Sequence, residues 1–402
     1  MSATCIVYVS YNGIDEPLVA SQVLAYLREL GNQGYRFRLL TFERRAWTPG
    51  QVAERRAQLP ENIEWTPLTS GLRPRALRDL SLFVQCITGI RRALDDGAQI
   101  VHARSFVPAL AARLLKARRP LRLLFDIRGF WIDEKAYKRT LREDGPAHRL
   151  GNALEGWAYR GSDHIVCLSE AARREITALP MFANDAPPPM TTIPTCVDLA
   201  HFSPSRAMPD SHAPLTVGYL GSFGDTYLPH QIFRFFSLLR DHFHDARLHI
   251  LSRANPADVA RIAQAENVPD SQYTLQALPF EQVAKEVCRF DLGISFVRPG
   301  RAMKASCPTK LGEYLACGVP VVANRGIGDI ETWLADGCTG CLLDDFSEGA
   351  MVRAITAMET LVRSEQTRRD CRQTAVGLFA LADGATRYAG IYHQLLGTEP
   401  PR

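Results

Sequence analysis

Short apolar runs separated by helix-length intervals occur in two series along this chain, and they constrain its fold more than any other feature. The first series lies at residues 4–10, 37–42, 100–103, 121–127 and 164–169; the second lies at 215–221, 246–251, 273–278, 292–297, 319–323 and 341–343. Near-continuous apolar strands alternating with helices belong to parallel sheets covered on both faces. Helices are expected at about 19–30, 77–94 and 351–362, with more helical sequence to about 396. Between the two series, residues 183–214 carry Pro187, Pro188, Pro189, Pro194, Pro204, Pro209 and Pro214, which interrupt both kinds of element. The reading is two doubly wound α/β domains in tandem, facing a central cleft. Their expected extents are 1–205 and 206–380, with a helical tail at 381–402 that packs back on the first domain.

One stretch of the second series has the makings of a site. Ser306-Cys307-Pro308-Thr309-Lys310-Leu311-Gly312-Glu313-Tyr314-Leu315-Ala316-Cys317-Gly318-Val319-Pro320-Val321-Val322 predicts a short helix that runs directly into a buried strand. Pro308 suits the first turn, and Gly318 suits the left-handed end. The first turn, which Thr309 opens, lies at the strand ends, where its unpaired N–H groups form a site for phosphate. Lys310 and Glu313 share one helix face. A cation beside a phosphate and a carboxylate one turn deeper suit a diphosphate joined to a ribose; an ordinary surface Lys–Glu pair fits the spacing equally well.

Polar residues close several other expected strands: His102 with Arg104 and Ser105, Asp126 with Arg128, Ser169 with Glu170, and then Ser222, Arg253 and Arg298. Polar groups at successive strand ends of one sheet converge on one crevice, although each taken singly also fits a helix cap or a satisfied core residue. The first βα turn has a lone Gly13 and no Gly-x-Gly-x-x-Gly, which argues against a nicotinamide or flavin dinucleotide.

Composition narrows the classes further. A hydrophobic fraction of 46% with 22% charged residues is that of a soluble globular protein, and neither a signal peptide nor a membrane-spanning run is legible. The expected location is the cytoplasm. Ten cysteines without framework spacing, among them Cys5 and Cys167 in apolar strands, point to reduced, buried thiols. The Cys338–Cys341 pair fits packing in a turn entering a strand better than a redox or zinc site. Residues 101–142 hold eleven Lys or Arg against three Asp or Glu, so this segment is +8 and the remainder −4. Such a segment suits solvated helix faces, or a peripheral contact with an anionic membrane or acidic acceptor. No nucleic-acid motif accompanies it.

Five segments, in order, resemble the retaining glycosyltransferases of family 4, which have the GT-B fold of two Rossmann-like domains. The 306–322 stretch is similar to that family's nucleotide-sugar signature. Tyr8-Val-Ser-Tyr-Asn-Gly-Ile-Asp-Glu-Pro-Leu with Ser21-Gln-Val-Leu resembles its first loop and helix, and Ile193-Pro-Thr-Cys-Val-Asp-Leu-Ala-His-Phe202 the motif closing its first domain. Val217-Gly-Tyr-Leu-Gly221 resembles the opening strand of the second domain. Gly326-Ile-Gly-Asp-Ile-Glu331 and Asp336-Gly-Cys-Thr-Gly-Cys-Leu342 resemble two later turns.

The resemblance implies transfer of a hexosyl or related group from a nucleotide diphosphate sugar to an acceptor hydroxyl, with retention, in glycan or glycoconjugate biosynthesis. It implies no cofactor and no metal. Glu313 would bind the ribose and Lys310 the diphosphate, with Thr309, Ser222, Arg298 and the Gly326–Gly328 turn near the donor. Arg253 is a second diphosphate candidate from its strand-end position. Asn12, Gly13, His102, Arg104 and Arg128 would face the acceptor, and Asp126 would orient or deprotonate its hydroxyl. That acceptor would be a sugar, a lipid-linked molecule or a natural product. Departures accompany the match: a glutamate usual eight residues before Glu313 falls on Ala305, and a frequent arginine falls on Tyr219. A nucleotide-sugar epimerase on the same fold and a non-catalytic binding module are the rival readings.

Overall fold

The structure is a computed structural model that describes residues 4–204 and 214–398. It divides into two compact units, one running to Pro194 and resuming at Leu381, the other spanning Thr195–Ala380. The boundary expected at 205/206 and Pro209 of the proline-rich segment lie outside the described residues.

The first unit is built on a seven-stranded sheet: β1 (Cys5–Ser10), β2 (Arg36–Phe42), β3 (Ile63–Leu68), β4 (Ile100–Arg104), β5 (Arg122–Asp126), β6 (His164–Cys167) and β7 (Met190–Thr192). The strands run in the order β3-β2-β1-β4-β5-β6-β7, and every pairing is parallel. The sequence reading missed β3 and β7, which are the two edges. β3 alternates buried and exposed positions and carries Pro67, as an edge strand tolerates and an internal one does not. The internal strands are mostly buried, apart from Cys5, Arg36, Arg38 and Arg122 at or near their starts, and were legible as apolar runs.

Helices cover this sheet. The first is made of Pro17–Val19, a π-helical turn at Ala20–Leu24 and Ala25–Asn32. Arg75–Asp95 turns Leu82, Cys86, Ile90 and Ala93 to the core, positions spaced for one helix face. The final helix, Leu381–Leu396, packs on Ala25–Asn32, with Tyr26 and Tyr388 edge to face at 5.5 Å between ring centroids.

In the second unit β8 (Thr216–Leu220), β9 (Arg247–Leu251), β10 (Tyr273–Gln276), β11 (Leu292–Ser295), β12 (Val321–Asn324) and β13 (Gly340–Leu343) form a parallel sheet in the order β10-β9-β8-β11-β12-β13. Its core packs Phe233, Phe235, Phe236 and Leu239 of the Pro229–His242 helix and Met351, Ile355 and Met358 of the Glu348–Leu361 helix against strand residues such as Leu248, Ile250 and Ile294. Each sheet reverses its strand order once, between β1 and β4 and between β8 and β11. Open α/β sheets bind ligands at such points, outside the carboxyl ends of the strands.

Candidate functional site

At the reversal in the second unit, the helix after β11 runs over Thr309–Ala316 and buries every residue from Lys310 to Ala316. Pro308 precedes it, and Gly318, at φ +75°, ends it. The Tyr314 hydroxyl accepts from the Leu220 N–H at 2.7 Å, which fixes the helix to the end of β8. Gly293 on β11 makes room for that ring, since a Cβ there would lie 2.6 Å from it.

Lys310 is buried and, among the described residues, its Nζ has no hydrogen-bond partner. It lies 4.1 Å from the ring centroid of Tyr219 and 4.6 Å from that of Tyr227. Gly221, at φ +131°, closes β8 beside it; a Cβ there would stand 3.1 Å from Nζ. The Tyr219 hydroxyl donates to the Ser222 carbonyl at 2.6 Å, and the Arg298 N–H donates to the Thr226 carbonyl at 2.8 Å, so the loop bearing Tyr227 is held at both ends. Burial draws Lys310 down to about 7 against the opposing charge of Glu313. Burial likewise pushes the Glu313 carboxyl up to about 7, against Lys310. An orphaned buried ammonium costs stability that a bound anion would restore.

The other expected donor residues surround this centre unevenly. Ser222 is exposed and Thr309 and Arg298 are half-buried. Arg253 is exposed just beyond β9, with no ion pair or hydrogen bond among the described residues. Gly326 and Gly328 adopt φ values of +84° and +55°; the Gly326 N–H donates to Glu331 and the Gly328 N–H to the Met303 carbonyl, both at 2.9 Å. A Cβ on Gly328 would meet the Ser306 carbonyl at 2.1 Å, so this turn requires glycine. Ala305 is buried in the 3₁₀ turn Arg301–Ala305 and offers no carboxylate.

At the reversal in the first unit, the strand register sets Tyr8 against His102 and Arg104 against Asp126. Asp126 is fully buried. Its carboxylate accepts from Arg104 Nη1 and Arg128 Nη1, both at 3.3 Å, and His102 Nε2 lies 3.5 Å away. His102 Nδ1 is 2.6 Å from the Tyr392 hydroxyl, and Arg128 Nη2 donates to Gln22 Oε1 at 3.4 Å. Burial alone would raise Asp126; the Arg128 charge, the His102 contact and the Arg104 charge together outweigh it and hold the carboxyl well below its ordinary range. Burial keeps His102 below its ordinary value, hence neutral at pH 7. Ser105 follows β4 at φ +83°, a strained conformation for a residue with a side chain.

In the first loop, Asn12 Nδ2 donates to Glu16 at 2.7 Å and the Gly13 N–H to the same carboxylate at 3.3 Å, while Glu43 accepts from the Ile14 N–H at 3.0 Å. Carboxylates of the loop and of the end of β2 thus hold Asn12 and Gly13 in place.

Sequence reasoning overlooked Tyr8, Gln22 and Tyr392 around Asp126, and Tyr227 beside Lys310. A π-helical turn often marks a functional site, but nothing in the pattern around Gln22 distinguishes it from an ordinary helix. All ten cysteines are free. Cys341 is buried in β13, with burial pushing its thiol up to about 11, and Cys338 is exposed. Among the described residues no group of three or more His, Cys, Asp or Glu could hold a metal ion.

Two family profiles match the two halves in order. "Glycosyl transferase 4-like domain" matches residues 19–194, and "Glycosyl transferases group 1" matches residues 214–360. No curated protein matches by sequence. Among solved structures, a sucrose-phosphate synthase from Thermosynechococcus elongatus superposes with TM-score 0.72 at 15% identity, covering 98% of this chain and 99% of that one. A glycosyltransferase from Rickettsia africae gives 0.69 at 14%, covering 99% and 100%. The Anabaena protein HepE, solved with UDP and glucose, gives 0.69 at 12%, covering 97% and 100%. Identities this low carry the fold alone, and nothing in these comparisons favours an epimerase or a non-catalytic module. The two profiles and the shared GT-B architecture make the conclusion plain: this chain belongs to the group 1 glycosyltransferases, with a glycosyltransferase 4-like first half, and is a glycosyltransferase enzyme.

Proposed function

We propose that the chain transfers a sugar from a nucleotide diphosphate donor held by the second unit to an acceptor hydroxyl held by the first, with retention at the anomeric carbon. One observation carries the donor assignment: Lys310 is a buried ammonium with no hydrogen-bond partner among the described residues, on a helix that begins at the strand-order reversal. A diphosphate supplies the missing acceptors, and Lys310 with the helix N–H groups stabilises the charge that develops as the diphosphate departs. Glu313 takes the ribose hydroxyls, since an ionised carboxylate accepts two at once. Arg253, Arg298, Thr309, Ser222, Gly326 and Gly328 complete the donor side, and fixed cations act without a metal. The HepE structures with UDP and with UDP-glucose support a nucleotide-sugar donor.

On the acceptor side, Asp126 orients rather than deprotonates. A carboxylate held below its ordinary range by two guanidinium groups is a weak base. Its role is to hold Arg104, Arg128 and His102 in one geometry, with Asn12 and Gly13 shaping the adjoining loop. The acceptor is a sugar, a lipid-linked molecule or a natural product. The protein works in the cytoplasm, where the basic 101–142 segment gives it a peripheral contact at the inner face of the membrane; no described helix is long and apolar enough to cross one.

Thermal unfolding against a panel of nucleoside diphosphates and their sugars, with and without Mg²⁺, tests the donor assignment. A ligand at ~100 times its dissociation constant adds about 2.7 kcal/mol to the native state. The expected result is a raised midpoint with one base, independent of metal and lost in Glu313→Ala. No shift with any of them would overturn the reading.

A further inference from the structure

Three neighbouring helices of the first unit, Arg75–Asp95, Phe106–Lys116 and Pro146–Gly161, pack side by side in that order. With the loop before them they carry every exposed large apolar side chain among the described residues of that unit except Leu18. The densest row is Leu77, Leu80 and Val84, exposed by 50%, 58% and 52%. Their spacing is that of one helix face, opposite Leu82, Cys86 and Ile90, which face the core. Leu72 precedes the row at 52% exposure, and Leu150 on the third helix is exposed by 63%. The Arg75–Asp95 helix is therefore apolar on two sides, and only one is used by the fold. Apolar surface of this extent on a folded chain marks an interaction site.

The surrounding charge chooses the partner. From residue 72 to residue 160 the sequence holds eighteen Lys and Arg against nine Asp and Glu. Several cations of the 101–142 segment are neutralised in the fold: Lys116 and Arg122 by Asp163, Arg119 by Asp95, and Arg104 and Arg128 by Asp126. Arg73, Arg91, Lys135, Arg139 and Arg142 make no ion pair among the described residues. Arg91 continues the Leu77–Val84 stripe two turns on, and Arg73 precedes it. Lys135 Nζ lies 4.8 Å from the Trp131 ring centroid, and burial, then the charges of Lys138 and of Arg75 at the start of the row, hold it below its ordinary value, which sets Lys135 beside that start.

We propose that this face, with Leu77, Leu80 and Val84 inserted between headgroups and Arg73, Arg91 and Lys135 around them, docks the chain on an anionic lipid bilayer. A row of leucine and valine ringed by unpaired cations matches both components of such a surface, its acyl boundary and its negative potential. A second copy docked through the same face would oppose cation to cation. The inference refines the membrane contact in the proposed function, moving its centre from the 101–142 segment to the Arg75–Asp95 helix. It is measured without donor or acceptor, so its failure leaves the transferase reading intact, and failure of donor binding leaves this face intact.

The test is co-sedimentation of the full chain with vesicles of phosphatidylcholine alone and of phosphatidylcholine mixed with phosphatidylglycerol. The expected result is binding to the mixed vesicles that weakens with salt, and that falls more than ~10-fold in the Leu77→Ser, Leu80→Ser, Val84→Ser triple variant. Arg73→Gln and Arg91→Gln should each weaken it about fivefold. Unchanged thermal midpoints in these surface variants would show that the fold is intact. Absence of binding to the mixed vesicles, or binding unaffected by the triple substitution, overturns the proposal. So does a concentration-dependent dimer, without vesicle binding, that the triple variant abolishes, since this would assign the face to a second copy.

Discussion

The two units each bury charge where their strand order reverses, but they compensate it in opposite ways. In the first, Asp126 is met by Arg104, Arg128 and His102, and the outer ends of that network reach Gln22 and Tyr392. In the second, Lys310 has two aromatic rings and, among the described residues, no acceptor. A satisfied buried network specifies its own geometry. An unsatisfied one stores a demand that a ligand can meet. The same fold, used twice, thus gives one reversal whose charges hold one another and one whose charge awaits a partner.

The sharpest way to break this comparison is to remove one charge from each cluster and measure unfolding of the empty protein. Asp126→Asn leaves two guanidinium groups uncompensated and should cost about 3–5 kcal/mol by denaturant titration. Asp126 contributes because its folded pKa lies below the ordinary 3.8, so the contribution is present above that pH and is lost as pH falls beneath it. Lys310→Met, by contrast, removes an orphaned charge and should leave stability unchanged or raise it, while abolishing the thermal shift given by the nucleotide sugar. A large loss of stability in Lys310→Met would show that its ammonium is satisfied after all.

A second difference appears on titration. Lys310, drawn down to about 7, changes charge near neutrality, and an anionic donor favours its protonated form. Affinity for a nucleotide diphosphate sugar, whose own diphosphate does not titrate in this range, should be greatest near pH 7, since Glu313, pushed up to about 7, must be ionised to take the ribose. Above pH 7 it should fall by up to about tenfold per unit. Lys310→Arg keeps its charge and should flatten that profile in calorimetric titration. In the unliganded protein the sign is reversed: between pH 7 and 10.5 the unfolded chain binds more protons at this position, so its contribution to stability rises with pH. Glu313, pushed up to about 7, takes stability away as pH rises from 4.5 to 7. A donor affinity that stays level across pH 6 to 9 would remove Lys310 from the diphosphate.

What the sequence disclosed follows the same physics. Internal strands were legible because burial on both faces demands unbroken apolar runs, and all six strands of the second sheet were expected. β3 and β7 were not: β3 alternates buried and exposed positions and carries Pro67, and β7 is three residues long with none fully buried. Lys310 and Glu313 were found because helix start, helix end and strand lie within one stretch. The partners of Asp126 were found only in part. His102, Arg104 and Arg128 stand at or beside strand ends in the same series, but Tyr392 belongs to a helix 290 residues from His102. No local pattern connects them. The outward row of the Arg75–Asp95 helix was not legible for a related reason: in a mostly apolar helix the sequence does not show which side is covered.

Tyr227 provides the smallest and most discriminating measurement. Its ring lies 4.6 Å from Lys310 Nζ, on a loop held by the Arg298–Thr226 hydrogen bond, and no local sequence pattern singles it out. If the two rings make a buried ammonium tolerable, Tyr227→Leu keeps the apolar cover and removes the electrostatic part of the contact, worth about 0.5–1 kcal/mol. Lys310 then loses its proton more readily, so donor affinity at pH 7 should fall about two- to fivefold and the pH profile should move toward acid. Tyr227→Phe keeps the ring face and should behave as the native protein does. Equal losses in both variants would assign the effect to the hydroxyl instead. The compensation in the second unit would then depend on a polar contact, much as it does around Asp126, and the contrast between the two clusters would narrow to the single missing acceptor at Lys310.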